Sequence, residues 1–319
     1  MRGKALLSNT LLSTALAAAI CLCAAPGASA DPLSGTSGFY VNPGSAPAAW
    51  VAAHPSDPRA AGIQSAIASR PIARWFGDDG GDIGSEVSSY VGAANSHGKV
   101  PVLVAYDIPD RDVCGGYSGG GASSVGAYES WISSFAAGIG SRPAVVVIEP
   151  DALSDYSCLT AAQQSSRTAM LLFATQMFQK KASDTWAYLD AGHTNWVAPA
   201  TMAGELKAAG VANVRGFAVN VSNFYTTGSS ETYAGSVNAS LGGTSHFVVD
   251  TSRNGNGSDG EWCNPSGAKL GTAPQAGGGA DLLLWVKTPG VSDGQCGTAP
   301  GTPAGTFDPA LAVALINGS

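Results

Sequence analysis

The stretch AVVVIEPDALSDYSC, residues 144–158, decides how the chain folds. Ala144 to Ile148 is an unbroken apolar run of the kind found in a parallel strand covered on both faces. It stops at Glu149-Pro150-Asp151, where proline fixes φ and has no N–H for the ladder. One reading makes Asp151 a polar loop residue capping the next turn. The other makes it a reactive carboxyl at the C-terminal mouth of a parallel sheet.

The rest of the chain supplies that sheet. Strand-like runs are expected at Gly38–Asn42, Pro71–Phe76, Val100–Ile108, Ala144–Glu149, Thr185–Asp190, Arg215–Val221, His246–Thr251 and Leu282–Lys287. Helical patterns lie between them. Ser124 to Ile139 places Val125, Tyr128, Ile132, Phe135 and Ile139 on one face. Thr160 is placed to cap a helix running to about Lys180, and Asp308-Pro309 opens the last one. Eight strands alternating with helices predict an α/β fold, a single β/α barrel of parallel strands, with a doubly wound open sheet as the alternative. The Gly-rich stretches 115–121, 254–260 and 271–279 read as loops within that domain, and no internal repeat is evident.

In a β/α barrel the chemistry gathers at the C-terminal ends of the strands. Those ends carry Asp107, Asp110 and Asp112; Glu149 and Asp151; Asp190 and His193; and Lys287 followed by Asp293. A single carboxylate at a strand end is ordinary, whereas several aimed at one mouth mark a site.

Composition narrows the partners. Residues 1–30 read as a secretory signal, with Arg2 and Lys4, an apolar stretch Leu11–Ala25 and the small-residue pattern Ala28-Ser29-Ala30 before Asp31. Residues 31–319 then form the single folded domain, and a secreted, extracellular location is expected. Loss of Arg2 and Lys4 takes the formal charge from −7 to −9. An acidic chain with 12% charged residues has no electrostatic footprint for nucleic acid. It has no basic amphipathic helix for a membrane surface, and no later segment is long enough to span one. A neutral polymer or small molecule is the better fit, and a monomer is expected. Cys114, Cys158, Cys263 and Cys296 remain after cleavage, enough for two disulfides with three possible pairings. No C-x-x-C or H-E-x-x-H supports a metal site.

Gly116-Tyr117-Ser118-Gly119-Gly120 matches the G-x-S-x-G of serine esterases, but that motif needs a strand directly before it and a helix directly after. Here more glycines follow. Paired carboxylates suit glycoside hydrolysis: one protonated, donating to the leaving oxygen, and one ionised, activating water. Trp75, Trp196 and Trp262, near strand ends or in loops, offer flat apolar platforms for sugar rings, whereas Trp285 reads as core.

Taken together, YDIPDRD with its nearby cysteine, VIEPD, YLDAGH followed by Trp196, EWCNP, and WVK with the later DG resemble glycoside hydrolase family 6, the inverting β-1,4-glucanases, over about residues 38–317. The resemblance implies a distorted β/α barrel with no cofactor and no metal. It implies Asp151 as general acid, Asp112 as the carboxylate tuning it and positioning water, Asp293 as base and Asp190 as a supporting carboxylate. Asp112, working through water and Ser118, is the rival base. Tyr106, Trp75, His193, Trp196, Asn223, Trp262 and Lys287 match sugar-contacting positions. The chain departs from the family in having Val291 where a Glu is usual, Ala268-Lys269 where an Arg often follows, and an extra Val113 before Cys114.

Two further expectations follow. Cys114 and Cys158 trail neighbouring strands, and Cys263 and Cys296 flank the last, so 114–158 and 263–296 should pair. Family members that act from chain ends roof the cleft with long insertions. This compact chain should be an open-cleft endoglucanase rather than a cellobiohydrolase or a non-catalytic glucan binder.

Overall fold

A computed structural model of the chain describes Met1, Gly3 and residues 33–77 and 80–319. The expected signal segment lies almost wholly outside the described residues. Eight strands form one sheet: β1 Arg74–Phe76, β2 Val102–Ala105, β3 Ala144–Ile148, β4 Thr185–Asp190, β5 Gly216–Val219, β6 His246–Asp250, β7 Gln275–Ala276 and β8 Leu282–Leu284. Their order is β1-β2-β3-β4-β5-β6-β8-β7. Every pairing is parallel except that of β7 with β8. The helices among the described residues are α1 Ala46–Ala53, α2 Ala60–Ile63, α3 Ile83–Ser96, α4 Val125–Ile139, α5 Ala161–Lys181, α6 Pro199–Ala208, α7 Thr227–Leu241 and α8 Pro309–Asn317.

The period-two alternation of side chains sorts the strands into two layers. On β2 and β3, Leu103, Ala105, Val146 and Ile148 face the helices, where they pack with Tyr128, Ile132 and Phe135 of α4 and Met170 and Phe178 of α5. Val102, Val104, Val145 and Val147 face inward onto Trp186, Tyr188, Val248 and Leu284. Burial on both faces explains why these strands read as continuous apolar runs.

The sheet curls into a barrel that is not laced shut. Among the described residues no ladder joins β1 to β8. Instead Ala73 N donates to Trp285 O at 2.9 Å, and Trp75 Nε1 donates to Val286 O at 2.8 Å. That seam is the distortion of the barrel, and it falls beside the residues that face the mouth.

Several expected elements differ. The stretch 271–279, read as a loop, contains β7, which pairs antiparallel with β8 where parallel strands were expected. The Gly38–Asn42 strand reduces to one parallel bridge, Phe39 to Val100. Gly38 sits at φ +96° and Asn42-Pro43 follows, which leaves no run able to pair further. The Leu282–Lys287 strand stops at Leu284, because Trp285 turns out to pack on Ile63, Ile67 and Ile72 and to donate Nε1 to Thr272 O at 2.9 Å. Val125 begins α4 but is 41% exposed, outside the buried face. The helix starts elsewhere are as expected. Ser124 caps α4, Thr160 and Gln163 form a capping box on α5, and Asp308 caps α8 with Pro309 in its first turn.

Both expected disulfides are present, 114–158 and 263–296. The first closes 44 residues. By the chain-entropy account, replacing Cys114 and Cys158 together with serine should lower the unfolding free energy by about 4 kcal/mol, read as a lower urea midpoint.

Candidate active site

The strand tips are not free loops. Glu149, at the end of β3, is 1% exposed, and its carboxyl accepts N–H bonds from Asp107 at 3.0 Å and Ile108 at 3.0 Å, just beyond β2. Asp190, at the end of β4, accepts from Asp151 N at 3.0 Å and Gly192 N at 3.0 Å. Asp250, at the end of β6, accepts from Ser222 N at 3.0 Å beyond β5 and from Val286 N at 3.2 Å and Lys287 N at 2.9 Å beyond β8. Buried carboxylates therefore fasten the tips of neighbouring strands to one another. Burial raises the pKa of Glu149 to about 8 and of Asp190 to about 7, in each case against the pull of the N–H donors.

Fastened in this way, the backbone accepts unfavourable conformations. Asp110, Asp112, Glu149, Asp151, Asn195, Asn220, Ser222 and Asn264 all have positive φ, and all lie at the C-terminal ends of strands or in the loops beyond them. Such conformations cost on the order of 1 kcal/mol or more each and concentrate at functional sites. Glu149 and Asp151, at φ +49° and +68°, turn the chain on either side of Pro150 and bring Asp151 into a cleft.

That cleft, about 1280 Å³, is lined by Asp112, Asp151, Asp293, Trp75, Tyr106, Ser118, His193, Trp196, Asn223, Trp262 and Lys287. These are all of the expected site residues except Asp190, which stands behind Asp151 and holds its backbone. Trp196 and Trp262 are 36% and 44% exposed, as platforms must be. Trp75 has its indole N–H tied to Val286 and meets the Tyr106 ring edge-on at 5.1 Å. His193 stacks between Trp196 and Tyr225, at 4.9 and 5.1 Å, and burial lowers its pKa. Asn223 turns its side-chain oxygen onto Phe224 N at 2.8 Å.

The carboxylates have different environments. Asp151 has a pKa raised well above the ordinary range, chiefly by burial and then by the nearby charges of Asp190, Asp155 and Asp112, with Lys287 opposing. Asp112 accepts the N–H of Ser118, which folds the glycine loop back over it. Asp293 lies between two cations, Arg253 Nη1 at 2.8 Å and Lys287 Nζ at 3.0 Å, and also accepts Asn264 N at 3.2 Å. Burial alone would raise its pKa, but the two cations outweigh burial and lower it. Arg253 is the main functional residue that sequence reasoning missed. Its place three residues beyond the Asp250 tip was the available signal.

Tyr117, also missed, is 45% exposed, and its ring meets Trp262 at 5.6 Å. It lies against Gly294, where a Cβ would collide with the ring. The G-x-S-x-G around Ser118 has neither strand before nor helix after, since β2 ends at Ala105 and α4 begins at Val125. Among the described residues no group of His, Cys, Asp and Glu is arranged to hold a metal ion. No helix among them is long and apolar enough to cross a membrane.

Comparison with known proteins matches this arrangement. The family model for glycosyl hydrolases family 6 covers residues 35–319. Endoglucanase 1 of Streptomyces halstedii is 51% identical over 315 residues, 97% of this chain and 98% of that protein. Endoglucanase A of Cellulomonas fimi is 43% identical over 271 residues, 83% of this chain and 58% of that longer protein. Among solved structures, the endoglucanase Cel6 of Mycobacterium tuberculosis, in complex with a methyl-cellobiosyl thio-cellobioside, superposes with a TM-score of 0.83 at 39% identity, covering 91% of this chain and 99% of that one.

The ion-paired state of Asp293 can be tested directly. Asp293→Ala leaves Arg253, 3% exposed, and Lys287 without their counter-charge. Removing one partner of a buried pair should cost about 3–5 kcal/mol of stability in urea unfolding.

Proposed function

The chain belongs to the glycosyl hydrolases of family 6, and from that premise we propose that it is an endo-β-1,4-glucanase that cleaves internal bonds of cellulose and related β-glucans with inversion at the anomeric carbon. The observation that carries this reading is Asp151: a carboxyl turned into an aromatic-lined cleft, where burial and neighbouring carboxylates raise its pKa and favour the protonated form an acid needs. In the reaction Asp151 gives its proton to the glycosidic oxygen as the bond from that oxygen to the anomeric carbon breaks. A water attacks the same carbon from the opposite face and loses a proton to a carboxylate. In inverting enzymes the two carboxyl groups stand about 6.5–9.5 Å apart to admit that water.

Asp112 is the better candidate for the base. Both oxygens of Asp293 are engaged by cations and its pKa is lowered, which makes it a poor proton acceptor. Asp293 then serves to hold Lys287 and Arg253 at the cleft wall. Asp190 supports the acid from behind, and Trp196, Trp262 and His193 supply apolar faces for sugar rings. The near full-length likeness to a named endoglucanase supports internal cleavage. The disulfides favour action outside the cell; the reading takes residues 31–319 as one catalytic unit acting as a monomer.

Asp151→Asn should cut turnover of unactivated cello-oligosaccharides by about 10²–10⁴-fold, with much of the rate returning on substrates whose leaving group needs no proton. Equal loss on both would remove Asp151 from the acid role. Proton NMR of the first product should show the α-anomer. Azide should rescue Asp112→Ala, forming an α-glycosyl azide, and should not rescue Asp293→Ala; the reverse pattern would return the base role to Asp293. Carboxymethylcellulose viscosity should fall early, well ahead of the release of reducing ends.

A further inference from the structure

A further carboxyl lines the cleft, named so far only as one of the charges near Asp151. Asp155 lies one turn beyond Asp151, in the 3-10 turn Ser154–Cys158, and its N–H donates to Asp151 O at 2.9 Å. It is 2% exposed, and its Oδ2 has no hydrogen-bond partner. Burying a carboxyl with an oxygen left unpaired is costly, so the residue needs a reason to be there.

Its surroundings supply one. The turn that carries Asp155 is tied to the loop that carries Asp112 by the 114–158 disulfide. Arg167, from α5, reinforces the tie, donating to Ala152 O at 3.3 Å, to Pro109 O at 3.0 Å and to Asp110 O at 2.6 Å. The Cys114 sulfur lies 3.8 Å from Asp155 O. Burial raises the pKa of Asp155 above the ordinary carboxylate value, opposed by the N–H groups of Cys114 and Val113, which face its carboxyl, and by the Arg167 charge. Val113 is the extra residue in the loop motif, and Asp155 sits beneath it.

We propose that Asp155 is a positioning residue for the general acid, holding the backbone of the Asp112 loop from below and keeping a negative charge against Asp151. The proposal rests on Asp151 being the acid. The charged and titratable groups facing Asp151 are Asp190 behind it, Asp155 one turn on, Asp112 and Tyr106 from the β2 side and Lys287 from beyond β8. Those facing Asp155 are Asp112, Arg167, Asp151 and Asp190. A like charge beside an acid favours the acid's protonated form. The acid works only while protonated, so activity falls as pH rises through its pKa. Removing the Asp155 charge should therefore bring that fall to lower pH.

The experiment compares pH profiles of kcat on soluble, unactivated cello-oligosaccharides for the unmutated enzyme, Asp155→Asn and Asp155→Glu. In Asp155→Asn the alkaline limb should move down by about one pH unit, while KM stays within about two-fold. Asp155→Glu, which keeps the charge, should leave the limb close to its original place. An alkaline limb unmoved in Asp155→Asn would overturn the proposal, whatever the loss in rate. Asp151→Asn assayed alongside on activated and unactivated substrates separates the two readings, since equal losses there would sink the acid assignment instead. Should Asp155→Asn fail to fold, NMR of the unmutated enzyme decides. The amide protons of Val113 and Cys114 should follow a carboxyl titration, and amides that stay flat through the acid range would overturn the proposal.

Discussion

The site depends on buried carboxylates that accept backbone N–H groups from the tips of neighbouring strands. A parallel ladder ends where the strands end, and beyond it each N–H needs a new partner or pays for its burial. Glu149, Asp190 and Asp250 provide those partners between β3 and β2, β4 and β3, and β6 and its two neighbours. Each carboxyl is itself costly to bury and is tolerated because several donors converge on it. The result is a rim of rigid tips around a barrel that, among the described residues, no ladder closes at its β1–β8 seam.

Rigidity at the rim makes the strained backbone of Asp151 and Asp112 affordable, and strain places their side chains in the cleft. The same low-dielectric rim separates the carboxyls by role. Asp151 has carboxyl neighbours that, with burial, raise its pKa, whereas Asp293 faces Arg253 and Lys287, which lower its pKa despite burial. Burial is common to both, and the sign of the neighbouring charge decides which form survives.

The absence of a Glu at position 291 fits this picture. Val291 faces the same cleft, and next to it Asp293 already balances one guanidinium and one ammonium group. Tyr117 lies against Gly294 and its ring meets Trp262, so the glycine loop that shelters Asp112 also touches that tryptophan.

By itself the sequence determined the sheet, its helices and the side of the barrel that bears the chemistry. Continuous Val and Ile runs, capping residues such as Thr160 and Asp308, and carboxylates placed just after those runs are local signals, and local signals survive folding. The disulfide pairing was legible too, because parallel strand order fixes which loops are neighbours. Tertiary structure alone decided the rest. What Glu149 fastens was decided there, because its partners, Asp107 and Ile108, lie some forty residues away in sequence. The Gly38–Asn42 run made only the Phe39–Val100 bridge, because Gly38 turns the backbone before it and Asn42-Pro43 follows. Asp112 and Asp293 both follow strands and look alike in sequence. Only the fold brings Arg253 against one of them, and a charge 2.8 Å away changes a carboxylate's chemistry more than any pattern along the chain can record.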